Sequence, residues 1–288
     1  MLPSKEKDLV YSGSYSLYLS YGNLTFLSVY IFQREVLILY HLNRRKNFYV
    51  NVILLTHTPE PEKIIAAAAK LCYSQKADIQ TLMDGLDTEA VNKFIDKLMT
   101  MHHESPLEHV SFTFAIEGVS RALLAQITRH RIASFSVRSQ RYCSEEDFDS
   151  IMPDPVYQDP KKRAVFRSAM ADVKIAYNEL QDLGSKNEDA RSVLPNACAT
   201  RMIVTMNLRE LLHFFNLRCC VRAQAEIREL ANRMLILCEE VSPVLFTHAG
   251  AHCEALGYCP EGKMSCGRAP TLEKLLDSYH TMNGAHMS

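Results

Sequence analysis

Val110–Tyr142 reads VSFTFAIEGVSRALLAQITRHRIASFSVRSQRY, and this stretch decides the fold. Apolar Val110, Phe112, Phe114 and Ile116 alternate with Ser111, Thr113 and Ala115 up to Glu117, the period-two pattern of a half-buried strand. A helix follows from Ser120 towards Thr128. The same stretch holds Arg121, Arg129, Arg131, Arg138 and Arg141 with His130, no lysine, and Glu117 as its single acid. That much uncompensated charge beside core elements is costly unless an anion neutralises it. The exclusive use of arginine suits forked recognition of phosphate or of a carbonyl-bearing ring. The plainer alternative is a surface face paired with Glu145, Glu146, Asp147 and Asp149 just downstream.

On the N-terminal side, Val52-Ile53-Leu54-Leu55 reads as a buried strand. Pro59-Glu60-Pro61-Glu62 then opens a helix with Ile64, Ile65, Ala68 and Leu71 on one side. Asp87 to His102 repeats Val91, Phe94, Ile95, Leu98 and Met99 at helical spacing, with Asp87 or Thr88 as cap. On the C-terminal side, Lys161 to Leu183 is an amphipathic helix stopped by Gly184. Asn187 or Asp189 starts another, and Asn207-Leu208-Arg209-Glu210 resembles a capping box opening the next. Ala223 to Leu245 predicts a long helix whose end Pro243 disturbs. The chain is therefore α+β, helix-rich, without an internal repeat.

Composition excludes several classes. The 288 residues are 47% hydrophobic and 23% charged, with a formal charge of −1, which fits a globular protein and argues against a general polyanion binder. No nucleic acid and no membrane is expected as a partner. The nine cysteines are odd in number and scattered, and no leader pattern precedes them, so free thiols in a cytoplasmic setting are expected. Gln33-Arg34-Glu35 breaks the apolar run from Leu24 to Leu42, which makes it a poor bilayer span.

Residues 1–49 differ from the rest. They hold seven of the 13 tyrosines and a charge of +3, leaving −4 for residues 50–288. Arg44-Arg45 fits the translation of a purine-rich ribosome-binding site, with Val50 as a GTG start. Residues 1–49 are thus expected to be a non-native or disordered extension. The competing expectation is a genuine hairpin over residues 24–42. A catalytic domain over 50–267 and a tail over 268–288 with helical potential complete the division.

A second arginine set comprises Arg191, Arg201, Arg209 and Arg218. Arg209 and His213 are four apart and share a helix face, and Asn207 stands at the cap of that helix, where free N–H groups favour an anion. Two separated sets suggest two anionic ligands, or one ligand with two anionic ends. There is no GxGxxG and no GxxxxGK[ST], so any nucleotide is held by side chains.

At Arg129-His130-Arg131, followed by seven residues and Ser139, the sequence resembles the signature of flavin-dependent thymidylate synthases, the ThyX family. Two flanking blocks agree in order. His103-Glu104-Ser105-Pro106-Leu107-Glu108-His109 precedes the strand. Arg191-Ser192-Val193-Leu194-Pro195 and Asn207-Leu208-Arg209-Glu210-Leu211-Leu212-His213-Phe214-Phe215-Asn216-Leu217-Arg218 follow. The resemblance spans roughly residues 50–245.

It implies one domain around an antiparallel sheet, and the reductive methylation of dUMP to dTMP. The methylene group comes from 5,10-methylenetetrahydrofolate and the hydride from FAD reduced by NADPH. It further implies that Arg129, His130 and Arg131 hold FAD with Asn207, Arg209 and His213. Ser105 and Glu108 would reach the flavin of a neighbouring subunit in a homotetramer. Gln126, Arg129, Arg138, Ser139, Gln140, Arg141 and Arg191 would bind dUMP. Arg218 would stand beside the uracil as the catalytic cation. His103 is a further candidate near flavin or folate, against its plainer reading as a helix-end histidine. The family often has Asn-Glu where Ser136-Val137 stands here, so any contact at Val137 uses backbone alone.

Ser139 as a nucleophile lacks a base beside it in sequence, and a role in dUMP binding is expected instead. No metal is expected. His102, His103, Glu104, Glu108 and His109 are rich in ligand types, but HExxH would need histidine where Leu107 stands. Cys253, Cys259 and Cys266 with His248 and His252 form the alternative zinc set, without a CxxC. A non-enzymatic nucleotide- or RNA-binding module remains the rival class.

Overall fold

The four apolar residues Phe112, Phe114, Ile116 and Val119 are fully buried, so the predicted alternation does place one strand face in the core. The structure, a computed structural model, describes residues 50–74 and 78–276; the expectations for residues 1–49 and for the end of the tail lie outside them. Before the arginine-bearing stretch come β1 (Asn51–His57), α1 (Pro61–Leu71) and α2 (Thr88–Thr100). The stretch itself forms β2 (Ser111–Ser120), α3 (Arg121–Ile127) and β3 (Ala133–Val137). After it follow α4 (Pro160–Asp182), α5 (Asn187–Ala190), β4 (Ala199–Asn207), α6 (Leu208–Arg218), α7 (Ala225–Val241) and α8 (Pro243–Phe246).

The strands form one antiparallel sheet in the order β1-β2-β4-β3. The β2–β4 register shifts between Ile116 and Val119, where Gly118 at φ 68° supplies the left-handed residue that such a bulge favours. One face, carrying Phe112, Phe114, Ile116, Met202, Val204 and Met206, joins a single core with apolar residues of α1, α2, α3, α6, α7 and α8. Each large side chain so buried contributes roughly 1.5–3 kcal/mol of transfer free energy. The helix-rich α+β architecture around an antiparallel sheet matches the sequence reading.

Four local readings need correction. Val52–Leu55 is not a fully buried strand: Ile53 and Leu55 are half exposed while Val52 and Leu54 pack on the core. The apolar residues at both parities lie on a sheet whose other face, among the described residues, carries no helix of the core; Ile53, Ala115 and Ile203 align across it in register. The expected helix from Ala223 ends at Val241, because proline lacks the N–H and the room that continuation requires, and Pro243 opens α8 instead. The helix at Asn187 is a single turn, continued by a 3-10 turn at Arg191–Val193. Asn207 caps α6 by accepting from the Glu210 N–H at 2.9 Å, but the carboxylate of Glu210 points elsewhere, so the capping box is half made.

Gln126 and the Arg129–Arg131 triplet follow from α3. Ser120 caps that helix, its hydroxyl accepting from Leu123 N–H at 3.0 Å. No helix among the described residues is long and apolar enough to cross a membrane.

Candidate active site

Two clusters emerge. In the first, His130 at the end of the α3 turn is buried against α6, with ring contacts to His213 and Phe214. Its Nδ1 lies 2.8 Å from Glu210 Oε1, and its Nε2 lies 3.2 Å from Arg218 Nε. Arginine Nε–H only donates, so His130 Nε2 is the bare nitrogen and Nδ1–H donates to Glu210. Burial, with Arg218 and His213 nearby, pushes the His130 pKa down against the Glu210 hydrogen bond, which keeps the ring neutral. Arg218 also donates from Nη2 to the Gln126 carbonyl at 3.4 Å. Burial and the charge of Arg129 lower the Arg218 pKa. Arg129 and Arg131 are exposed on either side of the buried histidine.

Beside this group lies a cleft of about 550 Å³ lined by Asn207, Arg209, His213, Asn216, Glu104 and Glu108 among others. Arg209 bridges the two carboxylates, with Nε 3.1 Å from Glu104 and Nη1 on Glu108. Ser105 and Glu108 sit on the 3-10 turn Ser105–His109, and His103 is exposed just before it, its N–H closing the end of α2 on the Leu98 carbonyl. His103 thus stands just beyond the end of α2 with its side chain exposed.

The second cluster gathers Arg121, Arg138, Arg141 and Arg191 with Glu145 and Glu188. Arg141 Nε donates to Glu188 Oε2 at 2.8 Å, and Arg191 Nε donates to the Glu188 carbonyl at 3.2 Å. Arg138 pairs with Glu145 at 3.3 Å and with the Ser144 carbonyl. Arg121 donates from Nη2 to the Arg138 carbonyl at 2.8 Å, while its buried Nε has no hydrogen-bond partner. Burial lowers the Arg121 pKa, and neighbouring Arg138 and Arg191 add to that. Burial likewise raises that of Glu145. Of the four downstream acids, only Glu145 pairs with an arginine of the stretch, so the charged-face alternative holds for Arg138 alone.

Ser139 Oγ accepts from Arg141 N–H at 3.2 Å in a local turn, with no base on it. Gln140 donates to Cys198 Sγ at 3.4 Å. Gln126 bonds Gln224 at the start of α7 and so joins the first cluster through its carbonyl. Among the described residues, no hydrogen bond or ion pair links the two clusters.

Sequence reading gave Glu210 and Glu188 no role in a site, while Arg121 stood in its arginine cluster. The i,i+3 spacing of Glu188 and Arg191 was the available signal for one of them. Among the described residues, only His130, Glu210 and His213 bring three metal-ligand atoms within 4.8 Å of one another. Both nitrogens of His130 are engaged there, and a guanidinium stands against the ring, an arrangement hostile to a metal ion. The set of Cys253, Cys259, Cys266, His248 and His252 forms no such group among the described residues.

Residues 53–244, which hold both clusters, match the family described as thymidylate synthase complementing protein. The chain belongs to this family. It is 48% identical over 248 residues to a flavin-dependent thymidylate synthase of Clostridium tetani, covering 81% of this chain and 99% of that protein. It is 50% identical over 228 residues to one of Geobacter sulfurreducens, covering 78% and 97%. A Pyrococcus abyssi relative with the same name is 39% identical over 223 residues, covering 75% and 91%. Family membership favours the enzymatic reading over the RNA-binding module and the metal-dependent hydrolase.

Proposed function

We propose that this chain is a flavin-dependent thymidylate synthase that converts dUMP to dTMP. 5,10-Methylenetetrahydrofolate gives the one-carbon unit and NADPH the reducing equivalents. The balance is dUMP, methylenetetrahydrofolate, NADPH and a proton going to dTMP, tetrahydrofolate and NADP⁺.

The observation that carries this reading is the second cluster. Four guanidiniums face two carboxylates around an unpartnered buried N–H, an excess of positive charge suited to a nucleotide phosphate. Arg141 and Arg191 supply the forks, Ser139 and Gln140 the polar edge, and Arg138 frames the turn that carries them. The first cluster suits a phosphate-bearing flavin. Arg209 and His213 line one cleft with the Asn207 cap, and exposed Arg129 and Arg131 flank the neutral buried imidazole of His130 in sequence. FAD supplies the hydride when bound; the chain supplies orientation and field. Arg218, fixed at Nε and Nη2, places a partly desolvated cation where negative charge develops on the pyrimidine ring.

Because no hydrogen bond or ion pair joins the two clusters among the described residues, a homotetramer that completes each site from neighbouring copies is the assembly proposed, with Ser105 and Glu108 reaching a neighbour's flavin. His103 would lie at the edge of that site. A cytoplasmic location is proposed with it, as is a native start near Val50 with catalysis confined to residues 50–267. Edman sequencing of protein expressed from its own locus tests the start. Rescue of a thymidine-requiring host by the full chain, abolished by Arg218→Ala, tests the function. Failure of the wild-type chain to rescue while folded and yellow would overturn it.

A further inference from the structure

Glu210 sits where a capping box would turn its side chain back on Asn207, yet its carboxylate is buried against His130 eighty residues away. A buried carboxylate in such a place is expensive unless it is well partnered. Here its partner is a single N–H, and that N–H lies on the ring that also receives Arg218. Two tautomers are open to a neutral imidazole. With the proton on Nδ1, Glu210 accepts and Nε2 is free to accept from Arg218 Nε–H. With the proton on Nε2, an N–H would face an N–H, and the ring would no longer hold the guanidinium.

We propose that Glu210 is a positioning residue for Arg218 acting through His130: its carboxylate fixes the tautomer whose bare Nε2 anchors the Arg218 guanidinium. The titratable and charged groups facing His130 are Glu210, His213 and Arg218, all from α6. Of these, Glu210 alone engages Nδ1. The α6 helix thus holds both ends of the relay, and the histidine from the other side of the site locks them together. With Nε on His130 and Nη2 on the Gln126 carbonyl, the guanidinium plane is held on two sides, leaving Nη1 to meet substrate.

The inference rests on the proposed synthase reading, in which Arg218 stands at the uracil. The test uses full-length Glu210→Ala, Glu210→Gln and Arg218→Ala, with flavin content read from absorbance and dUMP affinity read by calorimetry. Glu210→Ala is expected to keep its flavin and to bind dUMP within about threefold of wild type, since the phosphate is held by the other cluster, while kcat falls about tenfold or more. Glu210→Gln, whose amide oxygen can still accept from Nδ1–H, is expected to recover most of that loss. Glu210→Ala combined with Arg218→Ala should be no slower than Arg218→Ala alone. Should Glu210→Ala fail to fold, Glu210→Asp, which withdraws the carboxylate by one methylene, is expected to show the same loss confined to kcat. A kcat near wild type in the folded variant, or losses that multiply in the double variant, overturns the inference. An Arg218→Ala enzyme with full activity would instead refute the role of Arg218 in the synthase reading, whatever Glu210 does.

Discussion

Glu226 on α7 holds Ser120 at two points: Oε1 accepts from its backbone N–H at 2.6 Å and Oε2 from its hydroxyl at 2.7 Å. Ser120 is at once the last residue of β2 and the cap of α3, and both residues are buried. One carboxylate therefore fixes the corner from which the arginine-bearing stretch departs. Burial raises the Glu226 pKa, so ionisation of this group opposes folding as pH rises above its ordinary value of 4.5. Glu226→Ala would orphan two buried donors and leave a cavity, at a cost of about 2–4 kcal/mol. Glu226→Gln keeps one acceptor without the buried charge and should cost less than half of that. Urea unfolding of the two variants at pH 7 checks the order.

Strand β2 and the helices α2 and α3 were legible because each buries one face, and one-faced burial writes its period into the sequence; α1 was legible as a helix, but it buries Ile65, Ala66 and Ala69 and leaves Leu71 of the expected face half exposed. β1 was misjudged for the same reason in reverse: Ile53 and Leu55 are apolar on a face that no helix of the core covers. The roles of Glu210 and Glu226 were not legible. Their partners lie 80 and 106 residues away, and no local pattern encodes a contact that depends on how α3, α6 and α7 meet. The triplet Arg129–Arg131 was legible as chemistry, but its division into one buried neutral ring between two exposed cations belongs to the fold alone.

His130 makes stability sensitive to acid. Its folded pKa lies below the ordinary 6.5, so between those two values the unfolded chain binds a proton that the folded chain refuses. The contribution is complete above about pH 6.5 and is lost as pH falls towards the folded value. Protonation would also set an N–H against Arg218 Nε–H. The urea midpoint should therefore drop between pH 7.5 and pH 5.5, and His130→Asn should flatten that drop. An equal drop in the variant would place the acid sensitivity elsewhere.

The cysteines should separate sharply in reactivity. Cys198 is buried and its pKa is raised to about 11 by burial first, with Glu145 adding to it. Cys238 is raised by burial as well. The thiolate is the nucleophile, so both should be inert at pH 7.5, whereas exposed Cys72 and Cys266 should alkylate first. Mass spectrometry after brief iodoacetamide treatment reads the order directly. Labelling of Cys198 in the folded protein at the rate of Cys72 would contradict the burial.

Arg141 and Arg191 share Glu188, and that arrangement makes opposite predictions for the two signs of charge. Arg141 is half exposed and its carboxylate partner about one-third exposed, so the pair itself adds little to stability. A phosphate dianion competes with Glu188 for the same donors. Arg141→Ala should therefore raise the KM for dUMP about tenfold, the low end for a charge-assisted hydrogen bond because water screens this site. Binding of deoxyuridine, which lacks the phosphate, should be unaffected. Glu188→Gln removes the competing charge and should tighten dUMP a few-fold, an effect that fades as salt rises and the Debye length falls below about 10 Å. Steady-state kinetics at two ionic strengths separates these outcomes. Equal losses of dUMP and deoxyuridine in Arg141→Ala would mean that this guanidinium reads the ring or supports the turn rather than holding the phosphate.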